Sequence, residues 1–150
     1  MVFLPPRSSK SVICSKLFPA WYIGRNPEHE ILTVSHSDQL SSDFGRSVRD
    51  VVSTEEFQKI FRGVQLRSDV RAAGKWKTNQ GGEYKAEGVG GGLIGFHGHI
   101  AVIDDPFKSY ESALSDNQRR MVWDWYAGVL LNRLRSYKDG PGSVILIILE

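Results

Sequence analysis

The stretch that decides the fold is Ile100-Ala101-Val102-Ile103-Asp104-Asp105, in which four apolar residues run directly into two carboxylates. A short run that is apolar at every position predicts a strand that is buried on both faces. Such strands occur in parallel sheets that carry helices on both faces. Ligands of these sheets bind beyond the carboxyl ends of the strands. The two acids therefore mark the predicted site.

Strand and helix patterns alternate on either side of this stretch. Strands are predicted over residues 2–4, 31–34, 100–103 and 144–149, where apolar or β-branched runs are bounded by turn-forming residues. Helices are predicted over residues 11–22, 37–52 and 115–137, with a shorter helix that ends at residue 61. Residues 76–86 predict a hairpin, and six glycines within residues 88–98 predict a loop. The alternation predicts an α/β fold with a mostly parallel sheet.

Composition is typical of one domain of an intracellular protein. A chain of 150 residues with 41% hydrophobic content can form one substantial core, and a net charge of +2 does not by itself indicate a nucleic-acid binder. The single cysteine, Cys14, excludes an internal disulfide and fits a reducing cytoplasm. No apolar run approaches the roughly 20 residues that span a bilayer, and the apolar residues 1–4 are too few for a signal peptide. We expect a soluble, cytoplasmic protein.

Both ends of the chain resemble cut sites. The apolar strands predicted over residues 2–4 and 144–149 stand at the termini, whereas a buried strand normally continues into a segment that covers it. Leu149-Glu150 is also the pair that a common cloning site leaves ahead of a purification tag. We interpret this pair as a scar and the chain as a piece of a longer protein.

The segment between the first predicted strand and helix resembles a phosphate-binding loop. Such a loop needs inward backbone N–H groups, a lysine for the phosphates and a hydroxyl for Mg²⁺. Lys10 and Ser11 supply the last two at a helix start, which also attracts anions. Leu4 and Ser9 stand where the usual pattern has glycines. Taken alone, the segment also fits a capped helix start with a solvated lysine.

Asp104 and Asp105 complement that loop. An apolar strand that ends in two acids has the form of a Walker B motif, in which the first acid holds Mg²⁺ and the second orients or deprotonates the attacking water. The alternative is a turn before Pro106, a place where Asp is common. Because the pair follows a strand–loop–Lys–Ser–helix unit, the sequence predicts a site for ATP and Mg²⁺.

Short blocks along nearly the whole chain resemble the large terminase subunit of tailed bacteriophages and prophages. The blocks are Pro5-Pro6-Arg7-x-x-Lys10-Ser11, Phe18-Pro19-Ala20-Trp21-Tyr22, Gly24-Arg25-Asn26-Pro27, Asp43-Phe44-Gly45-Arg46, Arg71-Ala72-Ala73-Gly74-Lys75-Trp76, Gly88-Val89-Gly90-Gly91-Gly92, Asp104-Asp105-Pro106-Phe107-Lys108, Gln118-Arg119-Arg120 and Trp123-Asp124-Trp125-Tyr126. The resemblance implies that residues 1–150 are a truncated ATPase domain of a motor that drives viral DNA into a preformed capsid, without the nuclease domain that follows in relatives. It implies a P-loop fold of the additional-strand, RecA-like class, in which residues 144–148 separate the two Walker strands.

The resemblance and the two motifs together assign roles to individual residues. The expected phosphate-binding residues are Pro6, Arg7, Ser8, Ser9, Lys10 and Ser11. Ser11 and Asp104 are expected to hold Mg²⁺, while Asp105 positions the water and Arg7 stabilises the developing charge as the catalytic residues. The implied partners are double-stranded DNA, the portal protein, the small terminase subunit and further copies of the chain in a homo-oligomeric ring, with no membrane.

Ser9 is the main departure from the family pattern, because relatives usually keep a glycine before the lysine. A Cβ there crowds the phosphate or constrains the loop. The departure favours one alternative, a degenerate, non-hydrolysing prophage remnant that acts as an interaction module. A second alternative is a helicase- or recombinase-like DNA-dependent ATPase, which shares the Walker elements but not the later blocks. Since the adenine-contacting segment and the coupling residue after the last strand are missing, the isolated chain is expected to be a weak or inactive ATPase.

Two groups of side chains admit two interpretations. His97 and His99 flank a glycine and suggest a metal, but without a third ligand they are more often a loop pair. Trp123, Trp125 and Tyr126 either stack on DNA bases or pack in the core or at a domain interface, and their helical position favours core packing or an interface.

Overall fold

A six-stranded sheet organises the part of the chain that the computed structural model describes, residues 9–134 and 144–148. The strands are β1 (Glu30–Ser35), β2 (Leu66–Ala72), β3 (Lys75–Thr78), β4 (Glu83–Gly88), β5 (Ile100–Asp104) and β6 (Val144–Ile148). The α-helices are α1 (Phe18–Arg25), α2 (Asp38–Val52), α3 (Glu55–Ile60), α4 (Tyr110–Leu114) and α5 (Asp116–Trp125). A π-helical segment, Val12–Leu17, leads into α1. A π-helical turn, Tyr126–Leu130, and a 3₁₀ turn, Leu131–Arg133, extend α5.

The sheet is mixed, which corrects the expectation of a mostly parallel one. Its order is β2-β3-β4-β1-β5-β6. The strands from β4 to β6 pair in parallel, whereas β2 and β3 are antiparallel to their neighbours. The expected hairpin is confirmed as β3–β4, but β2 was not expected. Its sequence, Leu66-Arg67-Ser68-Asp69-Val70-Arg71-Ala72, carries no apolar run, and its residues are mostly exposed, so pairing with β3 rather than burial holds it in the sheet.

Helices cover both faces of the sheet, as the α/β pattern predicts. Alternate residues of a strand point to opposite faces. Ile31 of β1 therefore packs with buried residues of α1 and α2, whereas its neighbour Leu32 packs with Trp125 and Leu130 on the other side. A third cluster joins Cys14 to β5 on the α1 side. The last cluster places the π-helical segment directly over the strand that ends in Asp104.

The predicted helices are largely confirmed, and their ends have local causes. Ser37 caps α2, since its side chain accepts a hydrogen bond from the N–H of Leu40. The helix predicted over residues 115–137 starts one residue later and is α-helical only to Trp125. Its last residues, like the strand predicted over residues 2–4, lie outside the described residues. No helix of the described part is both long and apolar enough to cross a membrane.

Gly45 lets α2 approach the β3–β4 hairpin closely. The indole Nε1 of Trp76 donates to the Gly45 carbonyl at 3.1 Å. The ring of Trp76 stacks on Tyr84 with centroids 4.9 Å apart, and the Tyr84 hydroxyl donates to Oγ1 of Thr33 at 2.7 Å. All three side chains are fully buried. Burial of its ring raises the pKa of the Tyr84 phenol, so the hydroxyl stays a donor at neutral pH.

Gly45→Ala should lower the free energy of unfolding by about 1–2 kcal/mol. A Cβ at this position would lie 2.4 Å from the carbonyl oxygen of Ala73 and 3.0 Å from a ring carbon of Tyr84. The gain in helix propensity, about 1 kcal/mol, is smaller than the cost of overlap with backbone, because no side-chain rotation relieves that overlap. Urea denaturation measures the difference. Gly128 is the matched control, since a Cβ there meets nothing within 4 Å. Equal stability of Gly45→Ala and Gly128→Ala would contradict the close approach of α2 to the backbone at Ala73.

Candidate functional site

Two residues of the predicted site, Ser11 and Asp104, meet at the carboxyl end of β5. Asp104, the last residue of β5, is 1% exposed. The hydroxyl of Ser11 donates to its Oδ1 at 3.3 Å, and the hydroxyl of Ser15 donates to its Oδ2 at 2.5 Å. Both serines reach the carboxylate because Cys14, between them, packs against β5. The segment that follows the predicted phosphate loop is thus docked on the predicted Walker B strand.

Lys10 stands at the start of the same helix and is 8% exposed. Lysines are almost never buried this far unless charged or polar groups surround the ammonium. This burial distinguishes Lys10 from the solvated lysine of the alternative interpretation. The helix start therefore carries a buried lysine directly before the hydroxyl that contacts a buried carboxylate.

Cys14 lies beside the same carboxylate but is chemically passive. Burial, and then the negative charge of Asp104, raise the pKa of the Cys14 thiol above its ordinary value. The group stays a neutral thiol at physiological pH, whereas the thiolate is the nucleophile and metal ligand. Cys14 therefore acts through packing.

Asp105 adopts a left-handed backbone conformation, with φ of +46°. Its carbonyl oxygen accepts hydrogen bonds from the backbone N–H of His36 at 3.0 Å and from the His36 ring Nδ1 at 3.3 Å. His36 directly follows β1, the parallel neighbour of β5. These two hydrogen bonds fix the backbone at Asp105. They therefore also fix the position of its Cβ, from which the partly exposed side chain extends.

The oxygens at the end of β5 fit a magnesium ion. Mg²⁺ takes octahedral oxygen ligands at about 2.0–2.1 Å, so that adjacent ligands lie about 2.9 Å apart. The Ser11 Oγ and Asp104 Oδ1 are 3.3 Å apart. Within residues 9–134 and 144–148 no three His, Cys, Asp or Glu side chains form a group that could hold a metal. A Mg²⁺ ion here would need substrate phosphates and water as further ligands, which is its usual manner of binding.

A family model described as "Terminase large subunit, T4likevirus-type, N-terminal" matches residues 1–130. The chain belongs to this family. Membership confirms the resemblance of the sequence blocks to terminase large subunits and indicates a role in viral DNA packaging. A search of curated proteins found no match to the chain.

The remaining predicted site residues of this terminase domain lie before Lys10. Ser9 is exposed, and its carbonyl accepts a hydrogen bond from the N–H of Ile13 at 3.0 Å, which closes the first helical turn. Pro6, Arg7 and Ser8 lie outside the described residues. Two residues that the sequence did not single out, Ser15 and His36, contact the predicted acids. The signals for them were the spacing of four residues between Ser11 and Ser15, and the position of His36 directly after a strand.

Ser9 has a φ of +62°, the conformation that favours glycine. The left-handed conformation costs a residue with a Cβ roughly 1–2 kcal/mol, while glycine costs about 0.4–1 kcal/mol through the unfolded chain. Ser9→Gly should therefore raise the free energy of unfolding by up to about 1 kcal/mol.

Thermal and urea unfolding of Ser9→Gly and Ser53→Gly checks this prediction. Ser53 is also exposed and borders a helix, but its φ of −85° gives glycine no advantage, so that variant should lose stability. Equal losses in the two variants would contradict the strained conformation at Ser9.

The histidine pair lies at the opposite end of the sheet from Asp104. The Nδ1 of His99 accepts a hydrogen bond from the backbone N–H of Glu30 at 3.0 Å, just before β5 begins. Its ring stacks on His29 with centroids 3.9 Å apart. The backbone N–H of His97 donates to the Glu30 carboxylate at 3.1 Å. These contacts tie the loop before β5 to the start of β1, which is the structural role expected of a loop pair.

The aromatic residues of α5 divide between the core and the surface. Trp125 is buried, and its Nε1 donates to the Gly91 carbonyl at 3.1 Å, so the packing interpretation is confirmed for this residue. Trp123 is 64% exposed and lies outside the core, so the interface interpretation stays a prediction for this residue. An apolar cavity of about 470 Å³ lies between α5 and the end of β5. Its lining residues are Val89, Ile103, Pro106, Phe107, Arg119, Val122, Trp123, Trp125 and Tyr126.

Proposed function

We propose that this terminase domain binds ATP with Mg²⁺ at the carboxyl ends of β1 and β5 and hydrolyses the ATP to move viral DNA into a capsid. The observation that carries the proposal is the 3.3 Å contact between the Ser11 hydroxyl and the Asp104 carboxylate. The two residues are 93 positions apart in the chain, and the buried Lys10 directly precedes Ser11. A lysine, a hydroxyl and an acid are the groups that bind a nucleoside triphosphate with Mg²⁺.

Each residue of the site has one role in this proposal. Lys10 neutralises the phosphates, and Ser11 and Asp104 hold Mg²⁺, which supplies further positive charge when bound. Asp105 orients the attacking water. The preceding loop residues cradle the phosphates, and Arg7 among them stabilises the charge that develops during the reaction. These loop residues are Pro6, Arg7, Ser8 and Ser9.

Residues 1–150 form the motor domain in this proposal, with a P-loop fold of the additional-strand class. β6 pairs with β5 on the side away from β1, with Asp104 opposite Ile148. This is a position that the additional strand would take between the two Walker strands, so the strand order supports the class. Membership of the terminase family supports double-stranded DNA, the portal protein, the small terminase subunit and a ring of further copies as partners.

A non-hydrolysing interaction module is the second candidate, and the backbone at Ser9 favours it. A residue with a Cβ in the left-handed conformation, directly before the phosphate-binding lysine, restricts the loop in the place where relatives have glycine. Such a domain would keep its fold and its packaging partners without turnover.

Calorimetric titration with ATP, in Mg²⁺ and then in EDTA, tests the proposal and separates the two candidates. We expect saturable binding with one nucleotide per chain, strengthened by Mg²⁺, and slow phosphate release when the chain is in excess over ATP. Ser11→Ala should remove most of the strengthening by Mg²⁺, whereas Ser53→Ala, remote from the site, should not. Binding without any phosphate release, in this chain and in a longer chain with both ends restored, would favour the interaction module. Unchanged Mg²⁺ dependence in Ser11→Ala would show that the site is assigned wrongly.

A further inference from the structure

Ser15 is a buried hydroxyl to which the proposed function gives no role. It lies in the π-helical segment Val12–Leu17, is 0% exposed and follows Ser11 by four residues. Residues four apart share one face of a helix, so both serines face β5. A serine inside a helix commonly bonds a carbonyl of its own helix. The Ser15 hydroxyl instead crosses to Asp104.

The two oxygens of the Asp104 carboxylate have different serine partners. Oδ1 receives the hydroxyl of the half-buried Ser11 at 3.3 Å, and Oδ2 receives the hydroxyl of the fully buried Ser15 at 2.5 Å. A hydrogen bond from a hydroxyl to a carboxylate is charge-assisted and roughly twice as strong as a neutral one. The inner oxygen is held by a fully buried donor, and the outer oxygen contacts the half-buried Ser11.

We propose that Ser15 is a positioning residue for Asp104, which fixes the rotation of the carboxylate so that Oδ1 is presented to the ion that Ser11 contacts. The inference rests on the proposed function of the site. The physical reason is preorganisation: without Ser15 the carboxylate must be ordered when the ion binds, and that ordering opposes binding. Partners that orient a metal-binding carboxylate typically change metal affinity by about 10- to 100-fold.

The test measures the affinity for ATP in Mg²⁺ and in EDTA, because the ratio of the two isolates the contribution of the ion. Ser15→Ala should reduce this ratio by about 10-fold while the affinity in EDTA stays unchanged. Ser15→Cys leaves no void, because its slightly larger thiol replaces the hydroxyl, but the thiol is a weak donor and should reduce the ratio similarly. If the two variants agree, the effect comes from the lost hydrogen bond and not from a lost volume. If the alanine variant unfolds, the cysteine variant alone tests the role of the hydrogen bond.

Ser41→Ala is the matched control for removing a buried serine hydroxyl. Ser41 is also 0% exposed, and its hydroxyl donates to the Glu87 carbonyl at 2.7 Å. This variant should keep the ratio of the parent chain. In the Asp104→Asn background, Ser15→Ala should have little further effect on the ratio, because the residue acts through Asp104.

The outcomes distinguish this inference from the proposed function. If Mg²⁺ strengthens ATP binding to the parent chain and to Ser15→Ala and Ser15→Cys by the same factor, the positioning role is overturned and the site stands. A uniform loss of affinity in Mg²⁺ and EDTA would also overturn it, because it would show a merely structural serine. If the parent chain binds ATP equally well with and without Mg²⁺, the proposed function itself fails.

Discussion

Lys10→Met should weaken the binding of ATP with Mg²⁺ by about 10- to 100-fold. A hydrogen bond to a charged group contributes about 1.5–3 kcal/mol, and Lys10 is the buried lysine directly before Ser11, which contacts Asp104. Methionine keeps the length and the apolar stem of the lysine, so the packing of an 8% exposed side chain changes little. Calorimetry at fixed Mg²⁺ measures the change in affinity.

Lys16→Met is the control for the loss of one positive charge. Lys16 lies on the same helical segment but is more exposed than Lys10. Its variant should bind nucleotide as the parent chain does. Unfolding in the absence of nucleotide checks that both variants are folded. Equal affinities for Lys10→Met and the parent chain would remove Lys10 from the phosphate site.

Asp105→Asn should slow ATP hydrolysis by about 100-fold or more while it leaves the binding of ATP with Mg²⁺ intact. A residue that orients or deprotonates water acts mainly in the transition state, so that its loss affects turnover more than affinity. Asparagine also tolerates the left-handed backbone at this position, where φ is +46°. Phosphate release with the chain in excess over radiolabelled ATP measures even a slow single turnover.

Asp104→Asn is the contrasting variant and should lose Mg²⁺-dependent binding. Its charge is removed from the oxygens that Ser11 and Ser15 contact, so the effect falls on the bound ground state. The amide matches the shape of the acid in both variants. Were the two substitutions to damage binding alike, the division of roles between the acids would be wrong.

The sequence was sufficient to predict the parts of the fold that follow from short-range pattern. The apolar run that ends in Asp104 is a buried central strand, and the turn at residues 79–82 joins an antiparallel hairpin. β2 could not be predicted, because it is polar and exists through its pairing with β3. The antiparallel edge that makes the sheet mixed depends on that pairing.

The sequence predicted the main pairing of the site but not its supporting contacts. Ser11 and Asp104 come together because, in a parallel α/β sheet, the helices begin near the carboxyl ends of the strands. This rule follows from the fold class alone. Ser15 and His36 depend on finer geometry. The first requires the rotation of a π-helical segment over β5, and the second requires β1 to be the neighbour of β5. Neither property follows from residue type or spacing alone.

Ser9 combines a departure from the family pattern with a strained backbone. Ser9 stands where the family pattern has glycine, and its φ of +62° is the conformation that glycine favours. The departure from the family pattern is therefore a strained backbone and not a rearranged loop start at this residue.

The central claim is that Ser11 and Asp104 hold the Mg²⁺ ion of a nucleotide-binding site. A crystal structure of the chain with Mg²⁺ and a non-hydrolysable ATP analogue tests it most directly. We expect the ion at the Ser11 hydroxyl and near the Asp104 carboxylate, with the Lys10 ammonium on the phosphates and Asp105 facing the terminal phosphate. A nucleotide bound elsewhere, or an ion with no contact to the end of β5, would contradict the claim.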